Sequence, residues 1–420
     1  NASDSPLVNL ETRFYANYSA VDINVSGVGL NRKEIGEVIW NTSDLGTDTH
    51  KILFVDLDED DKKDEIIIGE YGSFYAYHEN GTQYWEGTEV EGLSRDIRLF
   101  DFDNDSYFND IIVADYSGEL RRFNRTGDQL WETADLGYMR ILAMCDFDGN
   151  NHKETIIVGD ANEQLLAFNE SGNNLWNVTL EHDAYEIYCE DINGNGIDEI
   201  AVGTQNIQPH YFYLLNSTGS QIFNATSLNN GLSAVAIGDI NNDGQKDLGF
   251  SGYDYIRFYN YSGDEFFGVI LDDLGETLEM KVEDLTGDGI NEIIVGAASS
   301  TDAIMILDNS SNMLYNYTFT TTENDIINLD LDTQNSIIYA SGVDGILYAF
   351  NYTLGLLWSY NLSGGQIGNH NEYLVSPGTD LGDVNNDGIN DIAVVEYDGV
   401  AYILQPVDCL ISFNDSTTYN

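Results

Sequence analysis

Basic side chains are scarce in this chain. Its 420 residues hold 16 Lys and Arg against 72 Asp and Glu, a formal net charge of −56. A surface of that sign repels phosphate backbones, which excludes nucleic acid as a partner, and it is disfavoured at anionic membrane surfaces. Cysteine is limited to 3 residues, enough for one internal disulfide, so cross-links do not hold the fold. Cys145 and Cys189 precede neighbouring acidic loops by one and two residues. A bonded pair and a buried free pair both stay open, because the differing offsets point the two side chains to opposite faces. The six histidines (His50, His78, His152, His182, His210 and His370) are scattered outside any zinc or triad spacing. Neither a Gly-x-Ser-x-Gly elbow nor a phosphate loop occurs. No apolar run approaches the roughly 18 residues that span a bilayer. No signal peptide is visible, as expected of a chain from which one has been removed. No capped segment with helical periodicity is long enough to count, so helix is expected to be scarce.

What is present excludes disorder. Hydrophobic residues make up 42% of the chain and aromatics 12%, with 27 Tyr, which is too much apolar surface for a solvated acidic tail. The 40 Gly beside only 4 Pro point to many strands joined by tight turns. One unit recurs: an apolar stretch, an acidic loop, then a β-branched run ending near Gly. The loops open at Asp56, Asp101, Asp146, Asp191, Asp239, Asp284, Asp330 and Asp383, at spacings of 45, 45, 45, 48, 45, 46 and 53. So regular a period means eight copies of one supersecondary unit. Each copy reads as four short strands with a Gly-bearing turn about every ten residues, the pattern of a propeller blade. The expected fold is an all-β propeller of eight four-stranded blades; seven blades plus an irregular element is the alternative. Glu37-Val38-Ile39-Trp40 resembles a fourth strand and would close the ring by completing the last blade. Cys409 to Phe413 is then surplus, or holds that place itself. The expected organisation is an N-terminal extension over 1–30, with Val21, Ile23 and Val25 alternating like an edge strand, a propeller over 31–413 and a tail over 414–420.

The acidic loops carry the chemistry. Four place oxygen-bearing side chains at positions 1, 3, 5 and 9: Asp191, Asn193, Asn195 and Glu199; Asp239, Asn241, Asp243 and Asp247; Asp284, Thr286, Asp288 and Glu292; Asp383, Asn385, Asp387 and Asp391. Gly196, Gly244, Gly289 and Gly388 hold position 6, where a left-handed residue folds the loop inward. Hard oxygens at alternate positions of a tight loop are what Ca²⁺ takes, with position 7 offering its carbonyl. The first three loops are one residue longer. They open with Asp56, Asp58 and Asp60; Asp101, Asp103 and Asp105; Asp146, Asp148 and Asn150. Their closing ligand is Asp64 or Glu65, Asn109 or Asp110, and Glu154. The seventh loop, from Asp330 to Gln334, lacks a closing acid and is expected to be empty. Asp and Asn favour turns without any ion, but seven near-copies at fixed period point to about seven structural Ca²⁺ sites. Without ions, the crowded carboxylates repel one another.

At these loops the chain resembles the FG-GAP or VCBS family of calcium-loop propellers, the repeat type of integrin α-subunit heads. The resemblance covers roughly residues 50–405, although the Phe-Gly and Gly-Ala-Pro signatures are missing. The last two strands also resemble the tryptophan repeat of quinoprotein propellers: Leu347 to Asn351 with Trp358, Phe74 to Tyr77 with Trp85, Leu165 to Phe168 with Trp176, and Trp131. That family is commonly eight-bladed, and its Trp implies packing between blades, not a cofactor.

Asn-x-Ser/Thr sequons number 17, where composition predicts about five. Seven recur at the turn between the third and fourth strands: Asn80, Asn124, Asn169, Asn216, Asn260, Asn309 and Asn351. Turn chemistry alone can generate those. It does not explain Asn1, Asn17, Asn24, Asn41, Asn104, Asn177, Asn224, Asn316, Asn361 and Asn414. Asn104 lies inside a calcium loop, where it would be blocked. The excess implies an exported, N-glycosylated chain. Blade geometry places the calcium loops and the recurrent turns at one end, so glycans there would shield that face. The opposite face carries Tyr71, Tyr116, Tyr253 and Tyr397 beside Glu70, Asp115, Asp254 and Glu396. Rings there either contact a partner or sugar or cover the channel rim.

These readings favour a non-catalytic, extracellular or cell-surface structural subunit of a surface layer or filament, with like subunits as partners. An adhesion or carbohydrate-binding propeller, with a surface protein or glycan as partner, is the alternative. A polysaccharide lyase is the weakest reading, given so few basic residues. Composition further suggests an AT-rich genome, a salty habitat and an archaeal surface.

Overall fold

A computed structural model describes residues 37–43, 45, 49, 51–70, 72–87, 94–102, 104–115, 117–205, 211–226, 234–252, 255–271, 276–298, 303–319, 326–362, 378–396 and 399–406. Short apolar runs between Gly- and Asp-rich loops become strands, and these form eight four-stranded antiparallel sheets. No helix occurs among the described residues. Seven sheets take four consecutive strands each. Blade 1 runs Lys51–Val55, Glu65–Glu70, Ser73–Tyr77 and Gln83–Gly87, and the next six repeat that order.

The eighth blade is built from both ends of the described chain. Strand β1 (Glu37–Asn41) pairs antiparallel with β32 (Ala401–Gln405), placing Val38 opposite Leu404 and Asn41 opposite Tyr402. The ring therefore has eight blades and not seven, closed by the segment around Trp40. Cys409 to Phe413 and the extension over 1–30 lie outside the described residues.

Burial follows the position of a strand in its blade. Second strands such as Asp110–Asp115 and Thr155–Asp160 are buried throughout, because both faces of the sheet lie under neighbouring blades. Fourth strands alternate between half-buried and exposed, as in Asn174–Thr179. The apolar core is divided into eight clusters, each spanning one blade-to-blade interface; Ile157, Leu165, Ile187 and Val202 meet between blades 3 and 4. First strands contact one another around the ring, so they line its axis.

An aromatic in the fourth strand docks five of the blades on the next. The indole N–H of Trp40, Trp85, Trp131 and Trp176 donates to the carbonyl of Glu79, Arg125, Glu170 and Ser217, at 2.9, 3.0, 2.8 and 3.1 Å. Those carbonyls belong to the third-to-fourth turn of the following blade. The turn glycines Gly81, Gly127, Gly172 and Gly219 have positive φ and lie flat on the rings, so that a Cβ would fall within about 3 Å of them. Phe223 does the same against Gly263.

One expectation is corrected, and one open alternative is decided. Asp330 does not open a loop. It lies inside the strand Ile326–Asp332, opposite Tyr339, and residues 333–336 form a plain turn. Blade 7 has lost the acidic loop altogether, and an axial strand acid imitated its spacing. Cys145 and Cys189 are joined by a disulfide, with Cα atoms 5.1 Å apart. Adjacent blades pack front face on back face, so side chains of opposite parity are the ones that meet.

Gly172→Ala places a methyl group 2.9 Å from the Trp131 ring at a φ of +76°. A side chain in the left-handed region costs about 1–2 kcal/mol, so chemical denaturation should show a loss of at least about 1 kcal/mol. Unchanged stability would mean that the docking contact contributes little.

Candidate metal centres

Seven loops share one hydrogen-bond scheme. The first Asp accepts from the N–H of position 6 through one oxygen: Asp61 to Asp56 at 2.9 Å, Ser106 to Asp101 at 2.8 Å, Asn151 to Asp146 at 2.6 Å, and Gly196, Gly244, Gly289 and Gly388 to Asp191, Asp239, Asp284 and Asp383 at 2.8 Å each. In six of the loops its other oxygen takes the N–H of position 5, as Asp387 to Asp383 at 3.0 Å. Position 6 has positive φ in all seven, whether it is Gly or Asp61, Ser106 and Asn151. Asp and Asn tolerate that region, and here Ser106 adopts it too.

The closing acid fastens the loop to its strand. The N–H of position 2 donates to Glu65, Asp110, Glu199, Asp247, Glu292 and Asp391, from Leu57, Phe102, Ile192, Ile240, Leu285 and Val384, at 2.8–3.1 Å. The structure thus separates the paired candidates. Glu65 and Asp110 face the loops, whereas Asp64 accepts from Asn386 of blade 8 at 2.9 Å and Asn109 donates to Glu59 at 3.3 Å. Asp103 lies outside the described residues.

The donor set is hard oxygen throughout, which fits Ca²⁺. Ligand atoms of Asp56, Asp58 and Asp60 lie within 4.8 Å of one another, as do those of Asp146, Asp148 and Glu154. Glu154 Oε2 and Asp391 Oδ1 are buried with no hydrogen-bond partner. A buried carboxylate oxygen left unpaired is costly, and a cation would satisfy it. Burial, aided by neighbouring loop acids, pushes Glu65, Glu199 and Asp391 up to about 7 and Asp247 to about 6. Glu154 and Glu292 rise for the same reason.

Neighbouring loops are tied together. The residue before the closing acid reaches the adjoining blade: Asp198 accepts from the N–H of Asp146 at 2.9 Å, Asn291 donates to the Asp239 carbonyl at 3.0 Å, and Asn390 donates to Asp332 at 3.0 Å. Arg125, in the third-to-fourth turn of blade 2, donates to the Leu57 carbonyl at 3.1 Å and pairs with Glu59 at 3.0 Å. Loops and turns therefore share one face.

The recurrent sequons occupy those turns at different positions. Asn124, Asn169, Asn216, Asn260 and Asn351 stand first in the turn, and their Oδ1 accepts backbone N–H groups two and four residues on. In blade 6 Asp308 takes that role and Asn309 stands second; in blade 1 His78 is first and Asn80 third. Asn80 Oδ1 nevertheless accepts the N–H of Thr82 at 2.9 Å, so turn capping accounts for six of the seven.

On the opposite face, Tyr71, Tyr116, Tyr253 and Tyr397 lie outside the described residues, as does Asp254. Glu70, Asp115 and Glu396 are buried. Asp115 caps its turn through the N–H groups of Gly118 and Glu119 and pairs with Arg121 at 2.6 Å.

The axis holds a group that the sequence did not single out. Lys51, Asp96, Glu186 and Glu279 each lie five residues ahead of a loop aspartate, a periodic signal that could have revealed them. All four are buried. Lys51 pairs with Asp96 at 3.6 Å and Lys281 with Glu279 at 2.6 Å. Burial, then the Glu279 carboxylate, pushes Glu186 up to about 8, and burial lowers Lys51 to about 8.

Fold and loops together define an eight-bladed β-propeller. Residues 191–250 match the FG-GAP-like repeat, and they contain the fourth and fifth loops. No curated protein matches the chain in sequence. Among solved structures it resembles Sqt1 from Saccharomyces cerevisiae at a TM-score of 0.67 and 12% identity, covering 87% of this chain and 98% of that one. The C-terminal WD40 domain of Sif2 aligns at 0.63 and 13%, covering 89% and 99%. BamB from Moraxella catarrhalis aligns at 0.57 and 13%, covering 86% and 99%. At such identities the likeness is one of fold. Among the described residues no helix is long and apolar enough to cross a membrane.

A carboxyl group whose folded pKa is raised binds its proton more tightly in the native state, so stability falls as pH rises between the unfolded and folded values. With a chelator present, the melting temperature should therefore fall between about pH 4 and pH 7, the window set by the loop acids near 6 and 7. A melting temperature that climbs across that window would contradict the loop electrostatics.

Proposed function

We propose that the chain is a non-catalytic, calcium-stabilised and N-glycosylated extracellular propeller, working as a structural subunit of a surface layer or filament. One observation carries the calcium reading: seven loops of the same scheme converge hard oxygens on one face, with buried carboxylate oxygens of Glu154 and Asp391 left unpaired. The ions are structural. Each would neutralise a loop whose acids are otherwise pushed toward protonation. The sequon excess supports export, and the scatter of the six histidines outside any triad spacing in the sequence supports a role without catalysis.

The propeller neighbours support a protein-binding use of the fold. One of them, Sqt1 from Chaetomium thermophilum, was solved bound to the N-terminus of ribosomal protein L10. Adhesion or carbohydrate binding is the second reading; the tyrosine turns that favour it lie outside the described residues. A lyase is the third, and Lys51, Lys281 and Tyr188 at the axis are the bases it would draw on. Each is engaged by an acid, Lys51 by Asp96, Lys281 by Glu279 and Tyr188 by Glu186, which disfavours it.

Two measurements test the proposal. Adding Ca²⁺ to chelated protein should raise the melting temperature, since one site at a hundredfold its Kd contributes about 2.7 kcal/mol, and metal analysis should return about seven Ca²⁺ per chain. Protein that binds no calcium would overturn the ion reading. Electron microscopy should show ordered polymers, and deleting residues 1–30 should abolish them. Single rings that bind a glycan array would favour the adhesin, and unsaturated products from acidic polysaccharides the lyase.

A further inference from the structure

Five sequons lie on fourth strands, the outer edges of their blades: Asn41 in β1, Asn177 in Asn174–Thr179, Asn224 in Gln221–Thr226, Asn316 in Met313–Thr318 and Asn361 in Leu356–Asn361. Four share one register. Asn41, Asn177, Asn224 and Asn316 each directly follow the fourth-strand aromatic, namely Trp40, Trp176, Phe223 and Tyr315. In an extended strand, residues two apart point the same way. Each Asn therefore stands beside its Ser43, Thr179, Thr226 or Thr318, and all eight residues are exposed.

Turn chemistry does not account for this set. Asn is disfavoured in strands, and no side-chain hydrogen bond holds Asn177, Asn224 or Asn316 among the described residues. The fourth strand is, however, the open side of its sheet among the described residues, a row of N–H and C=O groups that invites another strand. In blade 6 that edge also exposes Met313, Leu314 and Tyr315. The remaining blades show what the register is for. Blades 1 and 2 place Glu86 and Glu132 there, edge charges that also discourage pairing. Blade 7 has its sequon Asn two residues further, on the same side. Blade 5 alone has Gly268, next to an Ile270 that is 75% exposed.

We propose that Asn41, Asn177, Asn224 and Asn316 are N-glycosylation sites whose oligosaccharides cap open blade edges against strand addition. The inference rests on the extracellular reading above. In the transfer, Nδ2 attacks the anomeric carbon of a lipid-diphosphate-linked oligosaccharide. The C1–O bond breaks, the lipid diphosphate leaves with the electron pair, and Nδ2 loses one proton.

Glycopeptide mass spectrometry of the native full-length protein should find sugar on these four asparagines. A variant combining Asn41→Gln, Asn177→Gln, Asn224→Gln and Asn316→Gln should unfold cooperatively, yet show at least a twofold higher solution mass by light scattering. A second variant, Ser43→Ala with Thr179→Ala, Thr226→Ala and Thr318→Ala, removes the sequons but keeps the Asn side chains, and should behave the same way. Sugar on the turn asparagines with these four bare overturns this inference alone. Bare Asn at every sequon overturns the extracellular reading with it. Variants that keep the parent's mass overturn the capping role.

Discussion

The whole molecule depends on one pairing between distant parts of the chain, β1 with β32. A four-stranded twisted sheet has two apolar faces and cannot bury either alone. Stacked in a row, eight such sheets would leave a bare face at each end. Closing the row into a ring removes both ends, and the chain does so by giving its first described strand to its last blade. Every blade then has two neighbours, and the apolar clusters fall one to each interface. The aromatic dock reinforces this at the rim. Trp40, which belongs to the closing strand, makes the same contact with blade 1 that Trp85, Trp131 and Trp176 make further round. Ring closure is thus one more copy of an ordinary interface.

The blades were legible in the sequence because each one repeats its buried second strand and its fourth-strand aromatic, and all but blade 7 the acidic loop, at nearly constant spacing. What local spacing could not distinguish was an acid in a loop from an acid in a strand. Asp330 has the right interval but lies on an axial strand, where acids are also tolerated because Asn328 and Thr379 hydrogen-bond with it. The closing ligands were ambiguous for a related reason. Asp64 and Glu65 are adjacent, and alternation sends one to the loop and the other to blade 8. The disulfide and the axial ion pairs depend on blades packing front to back, which no single repeat displays. Lys51 and Asp96 are 45 residues apart and meet only because their blades adjoin.

The loop scheme also shows why such acidity is compatible with a folded ring. The first Asp of each of the seven loops accepts at least two backbone N–H groups, which spreads its charge over the turn. The closing acids Glu65, Glu199, Asp247 and Asp391 are buried, and that burial raises their pKa. Proton and cation are alternative answers to the same unpaired oxygen. On the proposed calcium reading, seven divalent ions would cancel 14 of the 56 net negative charges, and most of the charge would remain on the surface.

That residual charge keeps copies apart only at long range. Exposed charges are screened beyond about 10 Å at 0.1 M salt, and in a salty medium the reach is shorter still. Strand addition is decided at contact distance, by backbone groups about 5 Å apart. Net charge therefore cannot protect a blade edge; only a group standing on that edge can. This makes the recurrence of Glu86 and Glu132 at the register of Asn41, Asn177, Asn224 and Asn316 intelligible, because a carboxylate and a sugar are two local answers to one short-range problem. It also explains why the turn asparagines are no substitute. They stand on the loop face, six of the seven with Oδ1 engaged by a backbone N–H, displaced from the strand edge where pairing begins.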